Sequence, residues 1–221
     1  LESILKNVYI SNISSIDNNL LKLTGGVTFY KADVNISNSH LVSSLAEDMI
    51  NIVESKYDIK DTVISRTKFD ALDSDFSEGY INNLIIENVG GDAIDTSGTN
   101  LNISNLKVNE VMDKAISAGE SSNINVSQCL LQNIGVGVAS KDGSNVSVSN
   151  CEIKNAKLSA LMSYKKKGFY DQPKLDVRFS NLDVKTKFIR QREAELLIDE
   201  ILVPYSELNV EKLYQSTFMK K

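Results

Sequence analysis

The chain has no tryptophan, one histidine, two prolines and two cysteines in 221 residues. Each scarcity excludes something. A single histidine, His40, removes most histidine-based catalysis and histidine-rich metal sites. Two cysteines are too few for a disulfide-stapled scaffold or a four-cysteine zinc site. Two prolines and 11 glycines exclude collagen-like or linker-like sequence. No apolar run approaches the roughly 18 residues of a membrane-spanning helix. Cationic residues are outnumbered, 24 Lys and Arg against 29 Asp and Glu, and the net charge of −5 argues against nucleic acid as the main partner. What remains is 42% hydrophobic and 24% charged, a globular composition long enough to bury a core.

The sequence opens Leu1-Glu2-Ser3, without methionine or a secretory leader, and the apolar Ile4, Leu5, Val8 and Ile10 follow at once. The expectation is a piece of a larger protein, whose other domains would be among its partners.

Self-similarity is the strongest signal. Ile10, Ile36, Ile59, Ile81, Ile103, Val126, Val148 and Val177 fall in register at steps of 26, 23, 22, 22, 23, 22 and 29 residues. A second apolar column holds Leu41, Ile64, Ile86, Val108, Leu131, Ile153 and Leu182. A third runs Ile13, Ser39, Thr62, Leu84, Leu106, Cys129, Cys151, and a fourth Ile50, Leu72, Ile94, Ile116, Val138, Leu161. Between the columns lie short period-two segments and turn residues, so each repeat is two or three short strands. No repeat buries its apolar face alone; stacking closes the core. Leucine-rich repeats share the period, but their consensus is absent and β-branched residues dominate the columns. The pattern predicts an all-β, right-handed, single-stranded parallel β-helix of about eight coils of about 22 residues.

Asn12, Asn38, Asp61, Asn83, Asn105, Gln128 and Asn150 mark one corner of every coil. Asparagine tolerates left-handed backbone, and stacked amides form a ladder. On this ladder, and on segments such as Gly91-Asp92-Ala93-Ile94-Asp95 and Lys141-Asp142-Gly143-Ser144-Asn145-Val146, the chain resembles the pectin-lyase-like parallel β-helix superfamily over about residues 4–185. The resemblance implies the fold. It leaves open lyase, hydrolase, epimerase, tailspike or inert spacer, since these share it. A fainter similarity to repeat domains of large bacterial surface proteins implies an extracytoplasmic or cell-surface location. The expected division is a solenoid over 1–185 and a C-terminal cap over 186–221, with 191–203 either an amphipathic helix or a strand pair and Ser206–Gln215 a short helix over the last coil's edge.

Two groups carry candidate chemistry. Asp48, Asp70 and Asp92 align across three coils, and Asn51, Asp73 and Asp95 align three residues later, followed by Asp75. Stacked carboxylates one strand spacing apart repel and raise each other's pKa. Such a file suits Ca²⁺, with Asp48, Asp70, Asp73, Asp75, Asp92 and Asp95 as ligands, or acid/base work by Asp70, Asp73, Asp92 and Asp95 on a polysaccharide. The bland alternative has these aspartates bonding backbone amides. The Gly-His-Gly and Arg-x-Lys motifs of polygalacturonases and the Asp-Pro-His motif of alginate epimerases are missing. The second group is an insertion, Ser163–Pro173, which sets Tyr164, Phe169 and Tyr170 around Lys165, Lys166 and Lys167. Aromatic faces and lysines suit an acidic glycan, or the loop is simply pinned to the rod. Cys129 and Cys151 share a column and are either a disulfide between coils or two buried thiols. The function these features favour is a non-catalytic scaffold or a (poly)saccharide- or cation-binding module. The competing readings are a carbohydrate-active enzyme on an acidic polysaccharide and a protein-interaction rod.

Overall fold

The computed structural model describes residues 2–18, 20–183 and 186–215. The chain winds as a parallel solenoid of about eight turns, three-cornered in section. The first sheet contains Ser3–Lys6, Val34–Ser37, Asn145–Ser149, Lys174–Arg178 and Glu195–Ile198, together with the opening halves of Lys56–Thr67, Glu78–Val89, Asn100–Gly119 and Asn123–Lys141. Those long strands bend round a corner into the second sheet, which also holds Tyr9–Ile13 and His40–Ser44. The third sheet contains Gly25–Tyr30, Asp48–Val53, Asp70–Asp75, Ile94–Ser97, the ends of Asn100–Gly119, Asn123–Lys141 and Glu152–Tyr164, and Phe188–Arg190.

The corners follow from backbone chemistry. Each coil turns on residues with positive φ: Asn38, Asp61, Asn83, Asn105, Gln128 and Asn150 after the first sheet, and Ser43, Arg66, Asn88, Glu110, Asn133 and Asn155 after the second. The third corner uses Lys31, Glu54, Phe76, Gly98, Glu120 and Asp142. Left-handed backbone is cheapest for Asn, Asp and Gly, and coil-to-coil bonding offsets the cost elsewhere. Asn38 Nδ2 donates to Asn7 Oδ1 at 2.6 Å, and Asn83 Nδ2 to Asp61 Oδ1 at 2.7 Å, so the amide ladder stands on the exposed side of its corner. A second ladder, invisible in the apolar pattern, runs inside the third corner. The backbone amides of Ala32, Ser55, Ser77, Thr99 and Ser122 donate to the hydroxyls of Ser55, Ser77, Thr99, Ser122 and Ser144 on the following coil.

Ile36, Ile59, Ile81, Ile103, Val126, Val148 and Val177 are consecutive register partners and line the lumen, none more than 2% exposed. Ile50, Leu72, Ile94, Ile116, Val138 and Leu161 do the same on the third sheet. Each such side chain contributes about 1.5–3 kcal/mol on burial. One lumen position breaks the monotony. The ring of Tyr57 fills the space its register partner Gly79 leaves: a Cβ on Gly79 would lie 2.2 Å from Tyr57 Cζ. The Tyr57 phenol oxygen is buried without a hydrogen-bond partner, and burial pushes its pKa up.

The first coil departs from the pattern read in the sequence. Leu5, not Ile10, is the partner of Ile36, and Ile10 sits beside Leu41 in the second sheet. Asn12 and Ile13 accordingly move one corner along: Ile13 faces Ser44, and Asn7 takes the ladder position. The misreading arose because this coil carries an extra antiparallel excursion, Ile16–Asp17 against Lys22–Leu23, which lengthens it to 31 residues between Leu5 and Ile36.

The far end also differs. Residue 185, the expected boundary, lies outside the described residues, and the solenoid register continues past it. Phe188–Arg190 pairs with Leu161–Ser163, and Glu195–Ile198 pairs in parallel with Lys174–Val177. Residues 191–203 form a strand pair, not a helix: Glu195–Ile198 folds back on Ile201–Leu202. The helix expected over Ser206–Gln215 is shorter, Val210–Gln215, with Asn209 Oδ1 accepting the Lys212 amide as its cap. It covers the side of the rod, not the end. Leu213 and Tyr214 pack with Leu208 and Val210 on Val136, Ala139, Met162 and Tyr164 of the third sheet's outer face.

Candidate functional site

The third sheet is where the candidate site forms. In a lone strand, alternate side chains point outward to solvent. Here the outward file along the rod reads Asn51, Asp73, Asp95, Ser117, Ala139, Met162. It is acidic on the earlier coils and apolar on the later ones, where the C-terminal helix lies. Beside it lie Asp48 and its register partner Asp70, then Asp92, just before its strand, and Lys114, the register partner of Val136. Asp48 with Asp70 and Asp73 with Asp95 are thus register partners, and the Asp92 amide's hydrogen bond to Asp70 Oδ1 ties Asp92 to the first column.

Asp48, Asp70 and Asp92 are almost wholly buried, at 3%, 1% and 2% exposure. Two of them take up backbone amides, as the bland alternative expects: the Asp92 amide donates to Asp70 Oδ1 at 2.8 Å, and the Lys114 amide to Asp92 Oδ1 at 2.8 Å. Gly91 makes room for this, since a Cβ there would stand 2.0 Å from Asp70 Oδ1. Asp73 and Asp95 are only partly covered. Asn51 Nδ2 donates to Asp73 Oδ2 at 3.1 Å, and the Thr96 amide to Asp95 Oδ1 at 3.1 Å. One oxygen from each of Asp70, Asp92 and Asp95 lies within 4.8 Å of the others.

The electrostatics are uneven. Burial, then the charges of Asp75, Asp48, Asp95 and Asp70, push the Asp73 carboxyl up to about 9, so it holds a proton at neutral pH. Toward the C-terminal end, lysines that the column pattern does not reveal intervene. The buried Lys114 ammonium donates to Asp92 Oδ1 and Oδ2 at 3.1 and 3.2 Å and to Asp113 Oδ2 at 2.6 Å. Burial works to lower its pKa, but Asp92 and Asp113 outweigh that and hold it above the usual lysine value. Asp113 is itself raised, by burial and by Asp92. Lys141 Nζ stands 3.8 Å from Asp95 Oδ1. Two buried oxygens on this face have no hydrogen-bond partner, Asp113 Oδ1 and Ser117 Oγ.

The insertion is tied down more than it is presented. Tyr164 is fully buried and its hydroxyl meets that of Tyr214 at 2.8 Å, so it offers no surface to a ligand. The amides of Lys166 and Lys167 donate to Asp142 Oδ1 at 2.6 and 2.7 Å, and that of Lys165 to Gln191 Oε1 at 2.6 Å. The Lys167 ammonium pairs with Glu120, and Lys166 Nζ lies 4.1 Å from the centre of the Tyr214 ring. Burial, then Lys141 and Lys167, lower the Lys166 pKa. Phe169 remains 82% exposed against Tyr170, ring centres 4.7 Å apart. The loop and the acidic file thus share the third corner but face different partners.

Cys129 and Cys151 are joined as a disulfide between adjacent coils, with Cα atoms 4.4 Å apart. His40 is exposed in the second sheet beside Tyr9, away from the acids. A shallow hollow of about 460 Å³ lies on the outer face of the first sheet, lined by Lys60, Tyr80, Asn82, Asn102 and Asn125 among others. No helix among the described residues is long and apolar enough to cross a membrane.

A family model described as the right handed beta helix region matches residues 25–172. No curated protein matches the chain. Among solved structures, a trypsin-treated variant of QnrB1, described as a plasmid-mediated fluoroquinolone resistance protein, is similar at 13% identity over 82% of this chain and 92% of that one, with a TM-score of 0.19. Overlap that small carries no argument about function.

Proposed function

The chain belongs to the right-handed β-helix family, and from that premise we propose that it is a non-catalytic module that binds a (poly)saccharide or a cation on the outer face of its third sheet. The family supplies the scaffold alone, because one fold hosts many activities. The reading rests on one observation: Asp73 and Asp95 stand outward on neighbouring coils, partly exposed, beside the buried Asp48, Asp70 and Asp92. Carboxylates in that position accept paired sugar hydroxyls or ligate a hard cation. Among the described residues, this face sets no histidine beside a nucleophile. The Cys129–Cys151 disulfide favours an oxidising, extracytoplasmic setting. The test is a glycan array of neutral and uronate polymers, with and without calcium, probed with the chain and with Asp73→Asn plus Asp95→Asn. Binding that the double variant loses is expected; a blank array overturns the saccharide half of the reading.

A second reading has one observation in its favour. Burial and four neighbouring aspartates push the Asp73 carboxyl, which stands outward beside Asp95, up to about 9, the condition a general acid in glycoside hydrolysis needs at neutral pH. Release of reducing ends or of an unsaturated uronate from a polymer, abolished in Asp73→Asn, would establish it over the first.

A further inference from the structure

We infer that Asp70, Asp92 and Asp95, completed by the hydroxyl of Ser117, form a site for one hard divalent cation of the calcium class that staples three successive coils. The inference deepens the reading of the third sheet as a binding face and rests on it for that placement only.

The spacing is the first support. The carboxylate oxygens of Asp70, Asp92 and Asp95 lie within 4.8 Å of one another. Oxygens that share a calcium ion at about 2.4 Å are at most about 4.8 Å apart, so small side-chain shifts bring all three carboxylates onto one ion. The residues come from consecutive coils: Asp70 precedes Asp92 by one coil, and Ser117 is the register partner of Asp95 on the next.

The second support is independent of the acids. Ser117 is 0% exposed, its side chain is on the outward face in file with Asp95, and its oxygen has no hydrogen-bond partner. A serine hydroxyl both donates and accepts, so leaving it unpaired in a buried position is costly and calls for an occupant. A cation held by the adjacent Asp95 gives its lone pair a partner. The buried Asp113 Oδ1, also without one, borders the same cluster.

The surroundings are already organised. Gly91 leaves the space into which the Asp70 carboxylate fits, and the Asp92 amide fixes one of its oxygens. Lys114 reaches Asp92 from the following coil and divides its ammonium between Asp92 and Asp113, and Lys141 Nζ stands 3.8 Å from Asp95 Oδ1, so an entering cation takes the place of Lys141 at Asp95. The donors are all hard oxygens, and the chain's one histidine is far away, which selects Ca²⁺ or Mg²⁺ over zinc or copper. Partial exposure of Asp95 supplies the way in.

The experiment is calorimetric titration of EDTA-treated protein with CaCl₂ and, separately, MgCl₂, with thermal unfolding alongside. One saturable calcium site per chain and a raised Tm are expected, with magnesium weaker. Asp95→Asn, at a partly exposed position that tolerates an amide, and Ser117→Ala, which only removes the unpaired oxygen, should each weaken calcium binding by about ten-fold or more. A flat isotherm up to ~10 mM calcium overturns the site. So does undiminished binding in either variant, provided circular dichroism shows that variant folded. Glycan binding that persists in EDTA beside a flat calcium isotherm sinks this site alone; calcium binding beside a blank glycan array sinks the saccharide reading and leaves the site standing.

Discussion

Replacing Asp73 by asparagine keeps the shape of the side chain, and an oxygen for Asn51 Nδ2 to donate to, while removing the proton equilibrium. In the folded chain burial and four neighbouring aspartates hold that carboxyl up to about 9, from a model-compound value of 3.8. Between those limits the folded state keeps a proton that the unfolded state has released. Stability linked to Asp73 is therefore fully present below pH 3.8 and is lost as pH rises toward 9. Each unit is worth about 1.4 kcal/mol, so from pH 4 to pH 7 the loss is bounded at about 4 kcal/mol. Water reaches the partly exposed Asp73 and screens it, and about half of that, ~2 kcal/mol, is the expected difference. Asparagine has no proton to lose, so the variant should match the parent at pH 4, exceed it by ~2 kcal/mol at pH 7 and by more at pH 8.5. Urea unfolding in EDTA at fixed ionic strength reads this directly. A difference that does not change with pH, or a parent that gains on the variant as pH rises, would refute the burial argument.

Two other perturbations probe the packing. Gly79→Ala drives a methyl into the Tyr57 ring at 2.2 Å and should cost about 3 kcal/mol; adding Tyr57→Leu should restore more than half of it, and strictly additive effects in the double-mutant cycle would show that ring and glycine are not complementary. Lys114→Met leaves Asp92 and Asp113 buried without their ammonium and should destabilise by about 3–5 kcal/mol at pH 7, less at pH 4.5, where Asp113, raised to about 6 by burial and Asp92, takes up a proton; an unaltered denaturation midpoint at pH 7 would refute the pairing.

The fold was legible because the lumen imposes one rule on every coil. Ile59, Ile81, Ile103 and Val126 must each fill the same slot, so a period of 22 or 23 survives in the apolar letters themselves. The same rule exposed the Asp48–Asp70 and Asp73–Asp95 pairs, because register is shared by everything on a strand. It failed at the ends, where the rule lapses. The first coil's antiparallel excursion moved Ile10 into another sheet, and Leu196 continues the lumen after the Asn signature has stopped. The site was half legible. Ser117 is the register partner of Asp95 and Lys114 bonds Asp92 from the same coil as Ser117, but neither is an acid, so the repetition of aspartates ends one coil before them. Tyr164 looked like a ligand platform because its burial depends on Tyr214, fifty residues later, a contact no periodicity announces.

The solenoid has neighbours only before and behind, and this governs how it comes apart. Separation of one winding from the next need not disturb a third, so loosening travels as a front along the axis and does not strike the whole body together. The bridge between Cys129 and Cys151 stands across that route and ties two adjacent windings together. A front that reaches those two windings would be checked there, and a partly unwound intermediate with the section behind the bridge still wound is the natural resting point.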